Sequence, residues 1–254
     1  MRKLRVIPVA AVLAAAPSLP SFASTATTFN KIPAIAAPID AKDASGLSNL
    51  KAKALNGDTN AENKLGTMYE NGLGVPQDYG QAVAWFRKAA EQGDAKAQNS
   101  LGGMYANGLG VPRNDTRAAF WYRKAAEQGD AQAQCNLGEM YDYGRGVPRD
   151  DAAAASWYRK AADRGNDIAQ YVLGTMYYNG QGVPQDYTQA AAWYRKAAQQ
   201  GHLTAQYELG VMYYKGQGVP QDSIKAEHWL ELSAAQGSRQ AARKLHVLRN
   251  GSAQ

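Results

Sequence analysis

The five tryptophans of this 254-residue chain, Trp85, Trp121, Trp157, Trp193 and Trp229, stand 36 residues apart at every step. Gly66, Gly102, Gly138, Gly174 and Gly210 keep the same interval, as do Met68, Met104, Met140, Met176 and Met212. The pentapeptide Gly-x-Gly-Val-Pro recurs with them at 72–76, 108–112, 144–148, 180–184 and 216–220. Five units therefore run from Asp58 to Gly237 without an insertion. A fixed period of this length marks an array in which each unit buries its apolar face against its neighbours.

Each unit reads as two helices. In the second, Asp94 is placed to cap a helix, because its carboxylate can accept from free N–H groups of the first turn. Ala97, Leu101 and Met104 follow at i, i+4 and i+7, a buried helical stripe. Gly108 ends that helix as a residue able to take positive φ, and Val111-Pro112 carries the chain onward in extended form. Asn114 caps the next helix, as Asp78, Asp150, Asp186 and Asp222 do in the other units. Ala118, Trp121, Tyr122, Ala125 and Ala126 form its buried side. A mid-helix glycine costs about 1 kcal/mol against alanine. Gly66 and its four counterparts therefore imply a close approach, expected from the ring of the unit's tryptophan.

The run Leu-Gly-x-Met-Tyr, then Gly-x-Gly-Val-Pro, then Ala-x-x-Trp-Tyr-Arg-Lys-Ala-Ala closely resembles the Sel1-like repeat family, relatives of the tetratricopeptide repeats with a slightly longer unit. The resemblance implies an all-α, right-handed α-solenoid of five 36-residue helix-turn-helix repeats with half-repeat caps. It also implies an interaction scaffold whose first helices line a concave groove.

The repeats are expected at 58–93, 94–129, 130–165, 166–201 and 202–237. Residues 45–57 match a second helix and read as an N-terminal cap. Residues 238–254 read as a capping helix and tail, with Ala241, Leu245 and Leu248 where Ala205, Leu209 and Met212 stand one unit earlier. Residues 24–44, rich in Ser, Thr, Ala and Pro, read as a flexible leader. Arg2, Lys3 and Arg5 ahead of the apolar run Val6–Ala16 read as a secretory signal over 1–23, cleaved after Ala23, so the chain is expected in the periplasm or outside the cell. An uncleaved anchor is the alternative, for which the run is short. Cleavage leaves 25 basic and 22 acidic residues, a net charge of +3, too mild to argue for nucleic acid. The single cysteine, Cys135, excludes an intrachain disulfide.

Signals for catalysis are sparse. His202, His228 and His246 fit no metal-ligand spacing, so no metal or cofactor is expected. Ser48-Asn49-Leu50-Lys51 matches Ser-x-x-Lys, but the companion Ser-Asp-Asn and Lys-Thr-Gly elements are missing. A cysteine-rich branch of the Sel1-like family is linked to β-lactam binding or hydrolysis, with a cysteine pair in most repeats. This chain lacks those pairs. A hydrolase of that kind is the alternative to a non-enzymatic scaffold. The basic pairs Arg87-Lys88, Arg123-Lys124, Arg159-Lys160 and Arg195-Lys196 offer a further alternative, recognition of an anionic cell-wall polymer. Glu91, Glu127 and Asp163, four residues after the arginines, suggest local ion pairing on a solvated face instead.

Comparing repeats separates constant columns, which pack, from changing ones, which are free to be specific. On the first helix the columns beginning at Lys96, Asn99, Gly103 and Ala106 change most and share one face. The fourth repeat places Tyr171 and Tyr178 there, and the fifth Tyr207, Val211 and Tyr214. The tyrosines should pair between adjacent helices, edged by Glu139 and Asp142 of the third repeat. These seven residues are the candidate contacts for a protein or peptide partner in the groove, since tyrosine combines contact area, few rotors and a polar tip. Packing between repeats is the competing use of the same rings. Cys135, in the Asn99 column, is expected to be exposed there. The scaffold would serve the envelope by restraining a sensor or supporting assembly, or would engage host proteins.

Overall fold

The computed structural model describes residues 41–251, with side chains from 45 to 250. The expected signal peptide, and the leader as far as residue 40, lie outside the described residues. The first helices of the five units are α2 (Thr59–Asn71), α4 (Ala95–Asn107), α6 (Ala131–Tyr143), α8 (Asp167–Asn179) and α10 (Leu203–Lys215). The second helices are α3 (Tyr79–Glu91), α5 (Asp115–Glu127), α7 (Asp151–Asp163), α9 (Tyr187–Gln199) and α11 (Ser223–Ala235). α1 (Ala41–Leu55) and α12 (Arg239–Gly251) close the ends, so helix begins four residues before the expected cap. Each helix packs on the next in sequence, which makes the array an all-α solenoid.

Local chemistry sets the boundaries. Asp58, Asp94, Asp130 and Asn166 cap first helices by accepting from the N–H three residues on, at 2.7–3.0 Å. His202 takes that place in the fifth unit, its Nδ1 accepting from the Ala205 N–H at 3.2 Å. Asp78, Asn114, Asp150, Asp186 and Asp222 cap the second helices. Gly108 closes α4 at φ 69° in the left-handed region, its N–H returning to the Met104 carbonyl.

The constant columns form the core. Leu65, Leu101, Leu137, Leu173 and Leu209 are fully buried, each contributing about 1.5–3 kcal/mol by leaving water. The ring against the mid-helix glycine is not the tryptophan. A Cβ on Gly102 would lie 2.7 Å from Tyr122 Cδ1, and Gly66, Gly138 and Gly174 meet Phe86, Tyr158 and Tyr194 alike. Leu230 takes this place in the fifth unit. Adjacent helical residues point about 100° apart. When the ring after the tryptophan faces its own first helix, the tryptophan turns to the preceding unit, as Trp193 does in sharing a core cluster with Cys135 and Tyr158.

The basic ladder is not locally paired either. Among the described residues no ion pair joins Arg87, Arg123 or Arg159 to the acids four residues on. Arg87, Arg123 and Arg195 instead donate to the hydroxyls of Tyr105, Tyr141 and Tyr213 in the next unit at 2.8–3.1 Å, and Arg159 donates to Tyr177. Lys88, Lys160 and Lys196 lie over Trp85, Trp157 and Trp193, 3.8–4.4 Å from the ring centres. An exposed i,i+4 pair is worth only tenths of a kcal/mol, so a partly buried hydroxyl and an aromatic face outcompete it.

A glutamine bond also ties the two helices of most units together. Gln92, Gln128, Gln200 and Gln236 donate to Glu62, Gln98, Gln170 and Gln206 of the preceding first helix at 2.7–2.8 Å. Arg164 replaces the donor in the remaining unit, and the buried Gln134 Oε1 has no partner among the described residues. Restoring the donor with Arg164→Gln is expected to stabilise the array by about 1 kcal/mol. Urea unfolding of the two proteins checks this, and equal or lower stability of the variant refutes it.

Candidate partner-binding site

The first helices of successive units face one another. Asn136 on α6 donates to Asn99 on α4 at 2.9 Å, and Asn166, the cap of α8, donates to Gln132 on α6 at 3.2 Å. The variable columns lie along this shared inner face. Tyr178, Tyr207, Val211 and Tyr214 are half-buried, leaving part of each side chain in contact with solvent. Tyr171 is not a surface residue: it is 6% exposed, its ring stacked on His202 at 4.7 Å and set against Tyr194 at 5.7 Å. It supports the face from beneath.

The expected tyrosine pairing between adjacent first helices gives way to contacts with other groups. The Tyr178 ring meets Tyr187 of its own unit edge-on at 5.1 Å, and its hydroxyl donates to Gln217 at 3.1 Å. Lys244 of α12 lies 3.9 Å above the centre of the Tyr214 ring. Gln217 and Gln181 occupy the variable middle position of Gly-x-Gly-Val-Pro, and Gln181 donates to Asp142 at 2.9 Å just as Gln217 accepts from Tyr178. That loop position therefore edges the face. Its signal in the sequence is that it alone changes within an otherwise constant pentapeptide.

Electrostatics distinguish the third repeat. Glu139 pairs with Arg145 at 2.6 Å, both side chains about one-third exposed. Burial raises the Glu139 pKa, and Arg145 pulls it back. Burial and the nearby Asp151 raise that of Asp142, against Arg149 and the Gln181 hydrogen bond. Cys135 is buried at 4% exposure rather than exposed, and desolvation pushes its thiol up to about 12, far from nucleophilic thiolate. Neighbouring side chains fill the space above it, which column variability alone does not reveal.

Sequence reading also passed over Glu208 on α10, half-buried at a position where the five repeats carry Lys64, Ser100, Asn136, Val172 and Glu208. Burial raises its pKa, and Lys215 lowers it from beyond ion-pair distance. That column changes at every unit, which is the signal that identifies it.

His202 gives the site a built-in acid sensitivity. Burial holds its pKa below the ordinary 6.5, against the pull of Asp167, and its Nδ1 must stay unprotonated to cap α10. The folded state therefore favours the neutral ring. The stability this contributes is complete above pH 6.5 and declines as the pH falls below it. His202→Asn, which caps without ionising, is expected to flatten that decline in melting temperature. A variant with the same acid profile as the parent rules this out.

Among the described residues no group of three His, Cys, Asp or Glu side chains is arranged to hold a metal ion, and no helix is long and apolar enough to cross a membrane. Ser48 and Lys51 lie within α1. What the inner face offers is half-exposed aromatic area bordered by carboxylates and amides, the chemistry of polypeptide recognition.

Sel1 repeats match at residues 59–94, 95–130, 131–166, 167–202 and 203–238. The chain is similar to c5321, a protective antigen present in uropathogenic Escherichia coli strains and displaying an SLR fold, at 43% identity and TM-score 0.79, covering 82% of this chain and 44% of that one. It is also similar to a Sel1 repeat protein from Oxalobacter formigenes, at 39% identity and TM-score 0.76, covering 82% of this chain and 60% of that one. It thus spans less than two thirds of either. A sel1 repeat protein from Klebsiella pneumoniae subsp. pneumoniae shares the fold at 24% identity and TM-score 0.50, over 80% of this chain and 99% of that one. No curated protein sequence matches this chain. Five unbroken units, with their caps and glycine contacts in register, make the chain a member of the Sel1 repeat family, whose solenoids generally act as protein-interaction scaffolds.

Proposed function

We propose that this protein is an exported, periplasmic or secreted adaptor that holds a protein or peptide partner on the inner face of its third to fifth repeats. The observation that carries the reading is the row of half-exposed Tyr178, Tyr207, Val211 and Tyr214 beside Glu139 and Asp142. Large aromatic side chains with a polar tip are the anchors that dominate protein interfaces. The basic start and apolar run before Ala23 support export, and the similar Escherichia coli protein is a protective antigen, which fits that location. Within the envelope the adaptor would restrain a sensor or support assembly; outside the cell it would engage host proteins.

Crosslinking in cells followed by mass spectrometry identifies the partner, and N-terminal sequencing of the exported chain reads the cleavage site. Tyr178→Ala with Tyr214→Ala is expected to weaken the purified partner's binding at least tenfold, about 1.4 kcal/mol, with the helical fold retained. A double variant that unfolds, or one that binds like the parent, defeats the assignment of this face.

A further inference from the structure

We propose that Glu208, framed by Tyr171, Tyr178 and Tyr207, is the seat for a lysine or arginine side chain of the partner, so that the fourth and fifth repeats select a basic peptide. The inference rests on the inner face being the binding surface. It starts from register. Glu208 on α10 stands 36 residues before Lys244 on α12 and 72 after Asn136 on α6. Both counterparts reach back to the preceding first helix: Lys244 lies 3.9 Å over Tyr214, and Asn136 donates to Asn99. The counterparts of Tyr214 and Asn99 on α8 are Tyr178 and Tyr171. The same register places Glu208 on the side of α10 that faces these two rings.

The electrostatics agree with that placement. Glu208 raises the pKa of Tyr171, Tyr194 and Tyr207, so its charge is felt by all three phenols. Desolvation is the largest influence on Glu208 itself. Among the described residues no Lys or Arg forms an ion pair with it. A carboxylate half-withdrawn from water without a cation is costly to keep. An incoming ammonium or guanidinium would be held by the carboxylate and by tyrosine faces together, a charge-assisted hydrogen bond added to a cation–π contact. Lys244 on Tyr214 is this chain's own instance of the second contact, one unit along. Asp142, bonded among the described residues only to the neutral amide of Gln181, continues the negative charge toward the third repeat, where Glu139 is already paired with Arg145. This suits a further basic residue of the same peptide and disfavours an acidic one.

The test uses the mature chain and a fluorescein-labelled peptide of alternating lysine and alanine, with glutamate in place of lysine as the matched control. Fluorescence anisotropy is expected to show binding of the lysine peptide and none of the glutamate peptide. Glu208→Gln should weaken the lysine peptide roughly tenfold, the worth of one charge-assisted bond. Glu127→Gln, exposed on α5, should leave it unchanged. Glu208→Gln should also melt at or above the parent temperature, because it removes a desolvated charge. A purely structural carboxylate would lower it. Failure of the lysine peptide to bind at millimolar concentration, equal binding of both peptides, or unchanged affinity in Glu208→Gln overturns the proposal. If the cellular partner is lost with the paired tyrosine variant yet indifferent to Glu208→Gln, the binding face stands and this cation seat falls.

Discussion

Gly146→Ala is expected to destabilise the array by at least ~3 kcal/mol, among the largest effects of any single methyl group in the chain. Two costs add at this position. The backbone sits at φ 68°, where a side chain is disfavoured by about 1 kcal/mol or more. The added Cβ would also stand 2.1 Å from the Asp115 carbonyl oxygen and 2.6 Å from the Thr116 nitrogen. Those atoms begin α5 of the preceding unit, so relief requires moving a whole helix. Gly110, Gly182 and Gly218 lie against the equivalent backbone of their own preceding units. The second glycine of Gly-x-Gly-Val-Pro is thus where one unit rests on the last. Gly165→Ala separates the two costs, because Gly165 has φ 89° but open space around it. Urea unfolding should give Gly165→Ala the strain alone. Equal losses in the two variants would show that the contact between units contributes nothing.

Gly174→Ala should lose about 1–3 kcal/mol, although helix propensity alone favours alanine by about 1 kcal/mol. The sign is decided by Tyr194. A Cβ on Gly174 would lie 2.7 Å from its Cδ1 and 2.8 Å from its Cε1. The ring has little room to retreat, being 3% exposed with its hydroxyl 3.1 Å from that of Thr175. Thermal melting of Gly174→Ala, Tyr194→Leu and the double variant forms a cycle. The losses should be less than additive, since the smaller side chain relieves the clash. Additive losses, or a higher melting temperature for Gly174→Ala, would show that the ring does not oppose the methyl group.

These two glycines also show what the sequence makes legible. The 36-residue step, the Asp and Asn caps and the left-handed helix ends are local patterns, and the structure reproduces them. That mid-helix glycines need a close neighbour also follows from the sequence, because their cost has to be met. Which neighbour does not follow: Trp193 and Tyr194 are adjacent, and a rotation of about 100° decides which one faces α8. The partners of Arg87 and Arg123 were missed for a related reason. A tyrosine 18 residues away in the next unit competes with an acid four residues away, and only the stacked geometry brings it near. For the site, column variability drew attention to the first helices but did not measure exposure. One column holds the buried Cys135 and Tyr171 and the half-exposed Tyr207. Glu208 stood in an equally variable column, and the role proposed for it rests on its being half-buried with no ion pair among the described residues.

The clamps between units, namely the second loop glycine under the preceding helix start and the arginine on the following tyrosine, use positions largely separate from the residues proposed to meet a partner. Length and selectivity are therefore independent variables in this molecule. Copying one 36-residue segment would extend the inner face by one register while leaving every joint unchanged. Exchanging only the inner residues of one copy would alter what is read there. A lineage carrying this architecture can thus acquire new partners by duplication and local drift, without redesigning the frame that presents them.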